Sequence, residues 1–320
     1  MRLNEIGFYT MLEERCEVSD ETTPIMRAEM ILTSRCNFKC PYCRGLKDDQ
    51  KGDMPFETAI ETITLLLEED LVNIRFSGGE PTLYPELDIL VGLCARSGVQ
   101  HIAVSTNGTA HIDFYKYLIE CGVNDFSISL DSCCSSFNKD MTGGVDAFDL
   151  VVENIKELSK LTYVSVGVVI TEDNYSYVPD IVKFAHDLGV ADIRIIPAAQ
   201  QDRLLKIAEE IPQEIIDVHP ILKYRIDNIH NDIHVRGIKD TDSSKCGLML
   251  DDLAIVQNKH YPCIIHMREH GETIGEMKDG FRKDRKKWFD EHDCKTDPIC
   301  QKNCLDCCTL FNTKYEEYHK

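Results

Sequence analysis

No run of apolar residues in this 320-residue chain approaches the ~20 needed to span a bilayer, so no membrane partner is expected. Positive charge is scarce as well. Only 35 Lys and Arg stand against 55 Asp and Glu, a formal net charge of −20, spread along the chain rather than gathered in a tail. Such a field opposes binding to phosphate backbones, which depends on Lys and Arg, and nucleic acid is not expected as a partner. The one basic run, residues 282–287, is short, sits among acids and reads as a solvated helix face. The first residues, with Glu5, Glu13 and Glu14 close behind Arg2, lack the pattern of a secretory signal. Cysteine is the exception to these shortages, at fifteen residues. Secreted disulfide scaffolds are small and loop-rich, whereas a chain of this length with 43% apolar residues can pack one large domain plus a small one. Cysteine clusters in a long α/β chain point to metal sites, and the expected location is the reducing cytoplasm.

Cys36, Cys40 and Cys43 form a C-x3-C-x2-C loop directly after an apolar, strand-like run at 28–32. Three thiolates on one tight loop can each bind one iron of a [4Fe–4S] cube, leaving the fourth iron open to a small molecule. Zinc more often takes four ligands from two separated pairs, and no second C-x2-C lies near the loop. Spacing alone therefore favours a cluster, with zinc or a chance grouping as the alternatives. A second strand-like run is followed by Ser77-Gly78-Gly79-Glu80-Pro81.

Apolar, β-branched runs then alternate with helical periodicity. Strands are predicted over 28–32, 71–76, 101–105, 125–130, 163–170 and 192–196, with helices over 56–69, 86–97, 112–121, 147–161 and 178–188. Gly98, Gly122 and Gly189 stop three of these helices. After the sixth strand comes a helical stretch interrupted near Pro212. Regular βα alternation argues a parallel sheet with helices outside it, and chemistry gathers at the carboxyl ends of such strands. Residues 1–26 read as an extension draped on this α/β domain, too short to be an ordinary binding domain. Past residue 235 the pattern changes: a hairpin is expected over 252–265, a helix over 281–291, and cysteines become dense. The domain reading is therefore 1–26, 27–235 and 236–320.

The Cys36, Cys40 and Cys43 loop with the aromatic Tyr42 before its last cysteine, followed in order by the Gly-Gly-Glu-Pro turn, resembles the radical S-adenosylmethionine (SAM) superfamily. The resemblance covers roughly residues 27–235. It implies an α/β fold, a partial (β/α)6 barrel, and a [4Fe–4S] cluster on the three cysteines. SAM bound to the open iron would be cleaved reductively to a 5′-deoxyadenosyl radical that takes a hydrogen atom from substrate. It also implies a pocket for SAM. Gly78 and Gly79 would let carbonyls approach its amino group, Glu80 would hold the same ammonium or brace the turn, and Pro81 would stiffen it. Tyr42 would pack beside the adenine. Ser105 and Asn107 would donate to ribose or carboxylate, while Ser127, Ser129 and Asp131, alternating along the fourth strand, would share the inward face. Ile196, with Thr171 and Asn174, would lie near ribose and adenine. Cys133 and Cys134 follow the fourth strand and read as loop residues, with a hydrogen-donor role as the alternative. Cys94 and Cys121 read as core, and Cys16 is unassigned.

The cysteines after residue 235 resemble the SPASM and Twitch domains, which hold auxiliary [4Fe–4S] clusters. Cys246, Cys263, Cys300, Cys304 and Cys308 are the expected ligands, with Cys294 and Cys307 held in reserve. The match is partial. Glu291 stands where the full pattern has a further cysteine, Asn258 stands where it has glycine, and sixteen residues separate Cys246 from Cys263. Two all-cysteine cubes need eight thiolates and seven are present, so one auxiliary cluster is expected, with two clusters or zinc as alternatives. Cys300-x3-Cys304-x2-Cys307 repeats the first loop's spacing but has no Gly-Gly-Glu after it, so it is not read as a second SAM site. His260, His266 and His270 read as surface or hairpin residues.

Three functions follow from these resemblances. The first is modification of a peptide or protein side chain. A second applies the same radical chemistry to a small molecule or nucleoside. The third is a non-catalytic iron–sulfur redox protein, which leaves the Gly-Gly-Glu-Pro turn without a purpose. The final residues lack the Gly-Gly end of the GTP cyclase. An electron donor such as a flavodoxin or ferredoxin is expected. A separate protein is expected to bind any leader peptide, since no such domain is recognised ahead of the barrel.

Overall fold

The computed structural model describes residues 14–198 and 210–320. Six strands are each followed by helix. They are β1 (Arg27–Thr33) and α1 (Phe56–Glu68), β2 (Asn73–Gly78) and α2 (Leu87–Arg96), and β3 (His101–Thr106) and α3 (Ile112–Cys121). Then come β4 (Asp125–Ser129) with α4 (Ser135–Met141) and α5 (Phe148–Leu158), β5 (Tyr163–Ile170) with α6 (Val178–Asp187), and β6 (Asp192–Pro197) with α7 (Gln213–Val218) and α8 (Pro220–His230). The remainder holds β7 (Asp252–Val256), β8 (Lys259–Tyr261), α9 (Ile264–Arg268), β9 (Gly275–Glu276), α10 (Phe281–Glu291), α11 (Pro298–Asn303) and α12 (Asp306–Tyr318). Residues 1–13 of the expected extension, and 199–209 of the helical stretch expected after β6, lie outside the described residues.

By packing, the chain forms two compact units. Among the described residues one comprises 14–35, 44–102 and 236–320; the other comprises 36–43, 103–198 and 210–235. In the first unit β1 pairs in parallel with β2 on one side and with β7 on the other, Met30 lying opposite both Phe76 and Ile255. The hairpin β7–β8 and then β9 continue this sheet antiparallel. Strand β1 is buried at nearly every position, as a strand covered on both faces must be, which is why it reads as a continuous apolar run. Residues 14–26 are fixed to the same unit. Arg15 pairs with Asp251 at 2.6 Å, Ser19 donates to the same carboxylate at 2.6 Å, and Arg282 donates to the carbonyls of Asp20, Glu21 and Thr23. Cys16, unassigned from sequence, is fully buried with Leu248, Met249, Leu250, Phe311 and Tyr315.

In the second unit β3, β4, β5 and β6 pair in parallel in that order. Their apolar positions, among them Phe126, Ile128, Val164, Val166, Val168, Ile193 and Ile195, form the core.

Three sequence expectations need correction. The second strand of the hairpin ends at Tyr261, because Cys263 caps α9 instead of continuing the ladder: its sulfur accepts from the His266 N–H at 3.4 Å. The run 282–287 is not a wholly solvated face, for Arg282 and Arg285 are buried. Arg285 donates to the carbonyls of Met249, Tyr261 (3.1 Å) and Asp252 (2.6 Å), an enclosure that pushes its guanidinium down to about 9 by burial. His266, read as a surface or hairpin residue, is buried in α9, whereas His260 does lie on the hairpin, buried there, and His270 is exposed. Burial holds His260 down to about 3, so it stays neutral.

Candidate metal and cofactor site

The loop carrying Cys36, Cys40 and Cys43 leaves Cys36 and Cys43 exposed and Cys40 partly covered. Burial pushes the Cys40 thiol up to about 11, so the loop without a metal is held neutral there. The Phe38 N–H points at Cys36 Sγ at 3.4 Å, a contact that favours the thiolate. The Cys43 N–H closes a turn onto the Cys40 carbonyl at 3.0 Å. Three sulfurs on one short, turn-closed, partly open loop are a donor set that fits an iron–sulfur cluster with an accessible face.

Residues far along the chain fix this loop. Asn107, buried just past β3, donates to Asn37 Oδ1 at 2.7 Å and lies 3.9 Å from Cys36 Sγ; its own carbonyl oxygen accepts from Thr109. The Lys39 N–H donates to the Thr142 carbonyl at 3.0 Å. At Gly143, with φ +73°, a Cβ would lie 2.3 Å from the Lys39 carbonyl oxygen. Only glycine allows that approach, a role the sequence reading did not find.

Tyr42 donates its hydroxyl to Asp131, which also accepts the Val169 N–H at 2.6 Å. Burial raises the Asp131 carboxyl to about 6 and holds the Tyr42 phenol well above its ordinary range. Asn174 braces the same corner, donating to the Asp131 and Val169 carbonyls at 3.1 and 2.8 Å. Thr171 joins it through an N–H donated to Asn174 at 2.7 Å. Ser127 is buried, Ser129 exposed, and Ser105 and Ile196 half-buried. Cys133 is half-buried and raised by burial, and Cys134 is exposed just before α4, with no capping bond from its side chain. Cys94 is buried in α2 and Cys121 half-buried at the end of α3.

The Gly-Gly-Glu-Pro turn lies in the other packing unit. The Gly79 N–H donates to the Thr33 carbonyl and the Glu80 N–H to that of Arg35, both at 2.7 Å. A Cβ on Gly78 would sit 2.4 Å from the Thr33 oxygen, and one on Gly79 2.3 Å from the Arg35 oxygen, so both positions exclude any side chain. Glu80 is fully buried and accepts from the Thr82 backbone at 3.1 Å and hydroxyl at 2.7 Å. Its carboxylate braces the turn that Pro81 opens. The Gly78 carbonyl accepts from Arg268 at 3.0 Å, from the end of α9, and the next residue, Glu269, pairs with Arg44. Neither contact has a signal in the sequence.

The seven tail cysteines gather in this unit. The sulfurs of Cys294 and Cys300 lie within 4.8 Å of one another and of a ring nitrogen of His292. Cys246 accepts from Asn312 at 3.4 Å. Its thiol lies well above the ordinary range, first through the influence of the Cys294 thiol and then through burial, and burial pushes Cys263 up to about 12. Cys294, held in reserve from sequence, is buried beside Cys300. His292, which spacing did not single out, brings its Nε2 to 3.9 Å from Cys300 Sγ.

Among the described residues no helix is long and apolar enough to cross a membrane. Residues 30–185 match the model of the radical SAM superfamily. A probable GTP 3′,8-cyclase of Sulfurisphaera tokodaii is 30% identical over 201 residues, 62% of this chain and 64% of its own. A second, from Metallosphaera sedula, is 26% identical and matched over 56% of its length; the chain thus spans under two thirds of these relatives. A tungsten-containing aldehyde ferredoxin oxidoreductase cofactor-modifying protein of Pyrococcus furiosus is 29% identical over 76% of this chain and 72% of its own. Among solved structures, Streptococcus suis SuiB bound to precursor peptide SuiA superposes with a TM-score of 0.62 at 15% identity, over 84% of this chain and 65% of that one. The enzyme anSMEcpe with bound AdoMet and a peptide gives 0.59 at 16% identity, over 91% and 96%. At such identities these superpositions speak for the fold, a radical SAM partial barrel followed by a cysteine-rich region. The matched span contains both the three-thiol loop and the Gly-Gly turn whose geometry is described above, so over residues 30–185 this chain is similar to the radical SAM superfamily.

Proposed function

We propose that this enzyme modifies a peptide or protein side chain by abstracting a hydrogen atom. The observation that carries the reading is the shared architecture, barrel and cysteine-rich region together, over 91% of this chain and 96% of a chain solved with AdoMet and a peptide. A [4Fe–4S] cluster on Cys36, Cys40 and Cys43 with SAM at its open iron would supply the electron and the 5′-deoxyadenosyl radical. The chain's own residues have narrower tasks. Asn107, Thr142 and Gly143 hold the three thiols in place. Glu80 and Arg268 keep the Gly-Gly turn's backbone oriented, and Asp131 fixes the Tyr42 ring. Within the first unit, exposed or half-exposed candidates for SAM contact are Gly78 and Gly79. The tail thiols are proposed to hold an auxiliary [4Fe–4S] cluster, and a flavodoxin or ferredoxin to supply electrons.

A second reading, a nucleoside or other small-molecule substrate, is favoured by the names of the curated relatives. Deuterium tracing separates the two. Reconstituted enzyme with dithionite and SAM is given either a perdeuterated peptide digest or perdeuterated GTP, and 5′-deoxyadenosine is analysed by mass. Deuterium from the digest is expected. Deuterium from GTP alone would replace the first reading with the second, and no deoxyadenosine under any condition would overturn both.

A further inference from the structure

One face of β4, β5 and β6 is apolar, with Phe126, Ile128, Val164, Val166, Ile193 and Ile195 buried in the core. Side chains alternate between the faces of a strand, so the residues between these share the opposite face, and there the sheet is polar. Two rows cross it. Ser127, Ser165 and Asp192 are paired neighbours in one, and Ser129, Gly167 and Arg194 in the next. The first row is buried, whereas in the second Ser129 is exposed and Arg194 half-buried. The face therefore opens toward the carboxyl ends of its strands.

Arg194 brings a cation here with no anion to meet it. Its Nε is buried and has no hydrogen-bond partner among the described residues. Asp192, two residues earlier on the same face, turns its carboxylate to the N–H groups of Ile193, Ile221 and Leu222 instead. Ser165 is 1% exposed, and its hydroxyl also lacks a partner. Enclosed donors of this kind cost stability unless something accepts from them. Room for an acceptor lies at Gly167. A Cβ there would stand 3.3 Å from Arg194 Nη2 and 3.9 Å from Nε, so any side chain would take up the space alongside these two nitrogens. They form the forked edge of a guanidinium, which receives carboxylate or phosphate oxygens in pairs.

We propose that Arg194, lying across Gly167 with Ser165 as a further donor in the adjoining row, anchors an anionic group of the substrate, a carboxylate or a phosphate. The inference rests on the hydrogen-abstraction reading only in calling the ligand a substrate. It names the group by which that ligand is held, not the atom that reacts.

The test treats the full chain, reconstituted anaerobically with iron and sulfide, with phenylglyoxal and follows modification of Arg194 by mass spectrometry. The probes are a peptide digest, the same digest with its carboxyl groups methyl-esterified, GTP, guanosine, and SAM. One anionic probe should slow the modification about tenfold once it stands at roughly ten times its Kd, as mass action requires, and its neutral counterpart should not. Digest over ester assigns a carboxylate; GTP over guanosine assigns a phosphate. Equal rates with every probe would overturn the proposal, and so would equal protection by the neutral counterpart. Slowing by SAM alone would give the guanidinium to the cofactor and overturn it as well. Two variants read the same site through deuterium transfer from the protecting probe in perdeuterated form. Arg194→Met keeps the length of the side chain without its charge, while Gly167→Ala keeps the charge and fills the space beside it. Each should lower transfer roughly tenfold, the value of one charge-assisted hydrogen bond, and wild-type transfer from Arg194→Met would refute the anchor. Protection without any deuterium transfer in wild type would support the anion site and count against hydrogen abstraction, so the two failures are told apart.

Discussion

Asp192 is fully buried at the start of β6, and its carboxylate accepts the N–H groups of Ile221 (3.1 Å), Leu222 (3.5 Å) and Ile193 (2.8 Å). The first two open α8, whose N-terminal dipole favours an anion. Burial nevertheless outweighs these bonds and lifts the carboxyl to about 6. A carboxyl whose folded value exceeds its unfolded one stabilises the fold fully below about pH 4. That contribution is lost as pH rises through about 6. Relative to Asp192→Asn, wild type should lose on the order of 2 kcal/mol between pH 4 and pH 7. Denaturant midpoints of both proteins across that range check it, and a constant difference would refute it. Residues of this kind mark where sequence reading stops. Cys36, Gly79 and Asp131 were legible as a motif or as strand-end positions, because local spacing carries them. That Asp131 grips Tyr42, or that Arg285 is buried against the carbonyls of Met249 and Tyr261, depends on partners far away in the chain.

At the scale of elements, the six strands and most of their helices were legible, since period-two and helical patterns are written locally. Short α9 was not, because five residues carry too little periodicity and the apolar run 261–265 mimics a strand. Yet α9 spans much of what the first unit offers. Cys263 caps its start, Arg268 donates to the Gly78 carbonyl at its end, and Glu269 holds Arg44, the neighbour of Cys43. Arg268→Met should therefore weaken SAM binding roughly tenfold, the value of one charge-assisted hydrogen bond, while leaving the tail's metal content unchanged. Isothermal titration with SAM alongside metal analysis measures both. Unaltered affinity would show that the turn holds its shape without the guanidinium.

For the whole molecule, the telling feature is that the two sets of thiols belong to different packing units. Cys36, Cys40 and Cys43 pack with described residues from 103 to 235, and Cys246 through Cys308 with β1, β2 and β7. Their supports are separate as well. Asn107 and Gly143 hold the first loop, while Asn312, His266 and Asp297 contact the second set. Metal loading of the two should then be independent, because removing one set leaves the other's hydrogen bonds and core intact. The variant with Cys36, Cys40 and Cys43 all changed to Ala should lose about four irons per chain and all 5′-deoxyadenosine formation. Its tail iron should match wild type. Undiminished deoxyadenosine would remove the three-thiol loop from the chemistry. A parallel fall in tail metal would show that the units share stability, so that the tail centre assembles only on a loaded barrel.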